Sequence, residues 1–72
     1  MKRSYKLEGL DCAVCAAKME RAVRKVDGVR GAAVSFLAGR LTVEADDGAF
    51  DEVMDKVVHT CRRVEPGCTV VR

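Results

Sequence analysis

The stretch Arg3-Ser4-Tyr5-Lys6-Leu7-Glu8-Gly9-Leu10-Asp11-Cys12-Ala13-Val14-Cys15-Ala16-Ala17-Lys18-Met19 contains a change of period that organises the chain. From Arg3 to Glu8 polar and apolar residues alternate, with Tyr5 and Leu7 on one side, as in a half-buried strand. The alternation stops at Gly9, and Gly9-Leu10-Asp11-Cys12 reads as a loop. From Ala13 to Val26 the period is helical. Ala16, Met19, Val23 and Val26 form the inward stripe, with Ala22 at its border and Lys18, Arg21, Arg24 and Lys25 on the other sides. Asp27-Gly28 ends the helix, Gly28 being the residue suited to a left-handed conformation just past it.

Downstream, Ala32, Val34 and Phe36 alternate inward, and Leu41 and Val43 do the same after a short hairpin connection at Ala38-Gly39. Asp46-Asp47-Gly48 closes that strand. A second helix is expected from Phe50 to about Arg63, with Phe50, Val53, Met54, Val57, Val58, Cys61 and Val64 as its apolar stripe. Glu65-Pro66-Gly67 stops it, and Cys68 to Val71 reads as a closing strand with Val70 inward. The order is strand, helix, strand, strand, helix, strand. Its packing solution is an α+β, ferredoxin-like βαββαβ sandwich: a four-stranded antiparallel sheet with both helices on one face.

Seventy-two residues make a single domain, 1–72, with no internal repeat or linker. A chain this short buries only about 60% of its unfolded surface, and with 4% aromatic residues its core must be built from Val, Leu, Ala and Met. A formal charge of +2, mixed in sign along the chain, argues against nucleic acid binding, which needs a concentrated basic stripe with stacking aromatics. No apolar run approaches the roughly 20 residues of a membrane span, and the start lacks the apolar stretch of a signal peptide. The expectation is a soluble, cytoplasmic monomer. In a reducing compartment, four cysteines point to metal or redox chemistry rather than disulfides.

Cys12 and Cys15 lie at the junction of the first strand and first helix. Two intervening residues let both sulfurs converge on one ion, and thiolates are the soft donors preferred by Zn(II), Cd(II), Pb(II) and Cu(I). The helix N-terminus favours the thiolate form that binds metal. Asp11 adds an oxygen donor and a further negative charge. Zn(II), Cd(II) and Pb(II) accept such mixed ligand sets, whereas Cu(I) is content with two thiolates. Three donors leave the site open, which suits transfer rather than a closed structural zinc site. A thioredoxin-like redox pair is the competing reading, but the strand order differs and no Trp or Pro flanks the pair.

Gly9 to Glu20 resembles the G-M-x-C-x-x-C signature of heavy-metal-associated domains. The resemblance runs on through Val26-Asp27-Gly28-Val29, Val34-Ser35-Phe36 and Gly39-Arg40-Leu41-Thr42-Val43, covering essentially the whole chain. It implies a non-catalytic module, either a metallochaperone or the cytosolic N-terminal domain of a metal-exporting P-type ATPase. Leu10 stands where copper chaperones usually have Met, a position that packs inward in the family. Asp11 stands where they often have Thr, Ser or His. The D-C-x-x-C form looks like the domains of zinc-, cadmium- and lead-exporting ATPases, which implies Asp11, Cys12 and Cys15 as ligands. Its implied partners are a metal-transporting ATPase or another metal-binding domain, reached without membrane insertion. A copper(I) chaperone of the same fold is the alternative.

The remaining candidates have simpler readings. Cys68 reads as a small strand residue, with a role as an extra thiolate ligand the alternative. Cys61 continues an apolar stripe and reads as core. His59 falls off that stripe and reads as a solvated surface residue. Met19 and Met54 have core spacing. Lys18, Arg21, Arg24 and Lys25 read as a solubilising face, with a docking patch for an acidic partner as the alternative.

Overall fold

The computed structural model describes residues 1–72 and has the expected order of elements. Strand β1 is Lys2–Glu8, helix α1 Ala13–Arg24, β2 Val29–Ser35, β3 Arg40–Ala45, α2 Phe50–Val64 and β4 Thr69–Val71. A short 3-10 turn over Asp47–Ala49, not anticipated from the sequence, leads into α2. The strands form one antiparallel sheet in the order β2-β3-β1-β4.

The register shows why the alternating residues face as they do. Tyr5 pairs with Leu41 and Leu41 with Val34, while Leu7 pairs with Val70 and Ala32 with Val43. These rows share one face. They meet Met19 and Val23 from α1 and Phe50, Val53, Met54, Val57 and Cys61 from α2 in a single core. Both helices therefore cover the same side of the sheet. Ser4, Thr42 and Ala33 form a row on the other side, where Arg40 donates to Ser4 Oγ at 2.9 Å.

Strand β2 lies at the edge, where unpaired backbone groups invite association. Two α1 side chains answer them. The Val34 N–H donates to Glu20 Oε1 at 3.0 Å, and Arg24 Nε donates to the Ala32 carbonyl at 3.0 Å. Arg24, read from the sequence as part of an outward basic face, is thus turned to the sheet edge.

Phe36 departs from the sequence reading. Strand β2 ends at Ser35, and the connection to β3 takes four residues, Phe36–Gly39, rather than the tight Ala38-Gly39 link. Gly39 has φ 62, and Ser35 Oγ accepts a hydrogen bond from Ala38 N–H at 3.2 Å. The Ser35 hydroxyl and the left-handed Gly39 turn the chain early, leaving Phe36 partly exposed and Leu37 fully so.

Candidate metal-binding site

Because β1 and β4 run antiparallel with Glu8 opposite Thr69, the end of β1 and the start of β4 lie at the same end of the sheet. So do the beginning of α1 and the end of α2, which makes the two helices antiparallel. The loop carrying Asp11, Cys12 and Cys15 therefore faces the loop carrying Glu65 and Cys68. Gly9 makes the turn out of β1 with φ 82, a conformation that disfavours any side chain.

Cys12 is the N-cap of α1. Its backbone is extended at φ −147 and ψ 128, and its carbonyl accepts the first intrahelical bond from Ala16 N–H at 3.1 Å. The neutral thiol makes no capping hydrogen bond, leaving amide groups of the first turn available. Their availability favours the thiolate. Hydrogen bonding from the Cys15 backbone N–H, then from the Cys15 side chain and the Val14 N–H, holds the Cys12 thiol below its usual range.

Cys15 lies one turn further on and behaves in the opposite way. Hydrogen bonding to the Glu65 carboxylate, and then to Cys12, pushes its thiol up to about 12. Each thiol acts on the other, so their protons leave in two steps that belong to the pair. Both cysteines are half-buried, and Val14 between them is 65% exposed, so the pair opens to the outside.

Asp11 is exposed, and its charge bears on Cys12 and Cys68. No three of these Cys, Asp and Glu side chains yet converge closely enough to hold an ion. Two sulfurs are brought together; the carboxylates stand around them. Cys68 is 3% exposed immediately before β4, and burial raises its thiol first, with the charges of Glu65 and Asp11 adding to the effect. Cys61 is 1% exposed within the core, where burial pushes its thiol up to about 11. His59 is exposed on α2.

Glu65 is the residue that sequence reasoning passed over. In the sequence it belongs only to the Glu65-Pro66-Gly67 stop to α2. The clue lay in the topology, because the loop between α2 and β4 must pass beside the beginning of α1.

The model of the heavy-metal-associated domain matches residues 4–61, most of the chain. The chain belongs to this family. It is 41% identical over 70 residues to a cadmium, zinc and cobalt-transporting ATPase of Bacillus subtilis (strain 168), covering 97% of this chain and 10% of that protein. A copper-exporting P-type ATPase from the same organism is 40% identical over 61 residues, covering 78% of this chain and 8% of that one. Among solved structures, a CopZ metallochaperone superposes with a TM-score of 0.76 at 25% identity, over 99% of this chain and 100% of that chain. The chain thus spans about a tenth of the length of the first of these ATPases. As a heavy-metal-associated domain it is a metal-binding module, and the ATPase activity of such relatives lies in regions it does not share. No helix is long and apolar enough to cross a membrane.

Proposed function

We propose that this domain takes a soft divalent cation, Zn(II) or Cd(II) with Pb(II) also accommodated, between Cys12 and Cys15 and passes it on by ligand exchange. The observation that carries this reading is the pair of half-buried thiols, Cys12 and Cys15, three residues apart at the exposed start of α1, with the charges of Asp11 and Glu65 acting on them. Two thiolates alone satisfy Cu(I). Added oxygen donors and negative charge suit a divalent ion instead. Asp11 supplies one oxygen ligand, and Glu65, whose charge acts on Cys15, supplies another once the loops close on the ion. The transport of cadmium and zinc by the Bacillus subtilis ATPase supports this choice.

The transfer chemistry follows from the open loop. A partner's thiolate or carboxylate attacks the bound ion from the exposed side, a shared intermediate forms, and the domain's sulfurs leave one at a time. Cys15 recovers its proton most readily, because Glu65 favours its thiol form. The domain works either as the cytosolic N-terminal part of a metal-exporting P-type ATPase or as a metallochaperone serving one.

A copper(I) chaperone is the second reading, favoured by the likeness to the copper-exporting ATPase. Competitive titration with Zn(II), Cd(II) and Cu(I) separates the two. Cys12→Ser should lower affinity for every ion more than about a hundredfold, since losing mere outer-shell partners already costs ten- to a hundredfold. Asp11→Ala and Glu65→Gln should weaken Zn(II) and Cd(II) while leaving Cu(I) unaffected. If neither carboxylate variant alters divalent affinity, the Zn(II)/Cd(II) reading fails and the copper reading stands.

A further inference from the structure

Two strands form the edges of the sheet. Strand β4 has three residues, too few to template another strand, but β2 has seven. The usual protections of an edge are missing from the middle of β2. Gly31, Ala32, Ala33, Val34 and Ser35 include no charge and no proline, and their side chains are small. The start of the strand is closed by other means. A bulge lies between Val29 and Gly31, the Val29 N–H donates to the Val26 carbonyl at 3.1 Å, and Arg30 pairs with Asp46 at 2.8 Å. That leaves the backbone of Ala32 and Val34, whose outer groups point away from β3.

Glu20 and Arg24 sit on those groups. Arg24 Nε reaches the Ala32 carbonyl and Glu20 Oε1 the Val34 N–H, each at 3.0 Å. The other carboxylate oxygen, Oε2, lies 4.0 Å from Arg24 Nη2, so the two side chains also hold each other. A donor for residue 32 and an acceptor for residue 34 are what one residue of a parallel neighbouring strand would present with its own N–H and C=O. The pair from α1 thus takes the place of a strand residue.

We infer that Glu20 and Arg24 form a clasp that keeps a second copy of this chain from adding to the sheet at β2. The excluded partner follows from the strand itself. Two antiparallel copies of β2, related by a two-fold axis at Ala33, would pair Ala32 of each with Val34 of the other through four backbone hydrogen bonds. Two of the four run from a Val34 N–H to an Ala32 carbonyl, and the clasp has engaged both ends of each. Helix α1 therefore serves the thiol loop at its start and closes the sheet edge toward its end. The clasp is independent of the ion that the thiols take.

Sedimentation velocity of the apo domain tests the inference, with chelator and reductant present so that neither metal nor disulfide links the thiol loops. The unaltered domain should remain monomeric. Glu20→Ala with Arg24→Ala should dimerise at least about tenfold more tightly, since each backbone hydrogen bond is worth about two- to tenfold net. Adding Ala33→Lys to that variant should restore the monomer, because like charges would then face each other at the two-fold axis. Glu20→Gln, which keeps an acceptor for the Val34 N–H, should stay monomeric. The backbone amide spectrum shows whether each variant keeps its fold. Should the double variant not fold, Arg24→Ala alone frees the Ala32 carbonyl and should still associate more tightly than the unaltered domain. A folded clasp variant that associates no more than the unaltered domain would overturn the inference, as would association that survives Ala33→Lys.

Discussion

The carbonyl oxygen of Gly67 occupies the space in which a side chain at Gly9 would begin. The exit from β1 and the approach to β4 are thus fitted backbone to backbone. That contact sets the distance between the thiol loop, which Gly9 opens, and Glu65, two residues before Gly67. A glycine that could be mistaken for a mere loop residue therefore positions two halves of the site.

Replacing Gly9 with Ala should destabilise the domain by about 2–3 kcal/mol. The left-handed conformation costs a residue with a Cβ about 1–2 kcal/mol, and the Gly67 backbone must also retreat. Gly48 is the control. Nothing lies within 4 Å of a Cβ built there, so Gly48→Ala should change stability by no more than about 0.5 kcal/mol. Urea unfolding of both variants measures the contrast. Equal effects would mean that the Gly9–Gly67 fit has no energetic weight.

Glu65→Gln should let Cys15 ionise at lower pH. The carboxylate favours the thiol twice over, by accepting its hydrogen bond and by repelling the thiolate, and a neutral amide retains only part of the first effect. The Cys15 13Cβ chemical shift, followed against pH in a Cys12→Ser background, distinguishes this thiol, pushed up to about 12 in the unaltered domain, from those of Cys61 and Cys68. The expected result is a clear downward displacement in the Gln variant. An unmoved titration would sever Glu65 from the site.

The fold was legible because its signals are local. The alternation at Tyr5 and Leu7 and the stripe from Phe50 to Cys61 each follow from a single element meeting a single core face. Cys12 and Cys15 could be paired for the same reason, being three residues apart at a helix start. What escaped was set between elements. Phe36 left the core because Ser35 and Gly39 turn the hairpin early. Arg24 left the outer basic face because an edge strand needed a donor at Ala32. Glu65 joined the thiols only through the antiparallel closure of β1 and β4, and no period in the sequence records that pairing.

Alkaline pH should loosen the core through Cys61. Burial raises its thiol from 9.0 to about 11 in the folded chain, so between those values the unfolded chain has lost a proton that the folded chain keeps. Stability from this group is fully present below pH 9 and falls as pH rises toward 11. Cys61→Ala removes the titrating group at the cost of a small cavity. Its urea midpoint should start lower at neutral pH and fall less steeply between pH 9 and 11 than that of the unaltered domain. Parallel pH profiles would show that Cys61 ionisation plays no part in alkaline loosening.

Leu37 and Leu41, four residues apart across the hairpin, should respond very unequally to loss of their side chains. Leu41 is fully buried on the core face of β3, opposite Tyr5 and Val34. Leu41→Ala should cost about 2–5 kcal/mol, from lost burial and from a cavity that the sheet cannot close. Much of the stability of so short a chain would go with it. Leu37 is 97% exposed at the hairpin tip and leaves no cavity when shortened. Leu37→Ser should stay within about 0.5 kcal/mol of the unaltered domain in the same denaturation experiment. A large loss at Leu37 would mean that the tip folds back onto the molecule, bringing Phe36 nearer the core as the alternation of β2 first suggested.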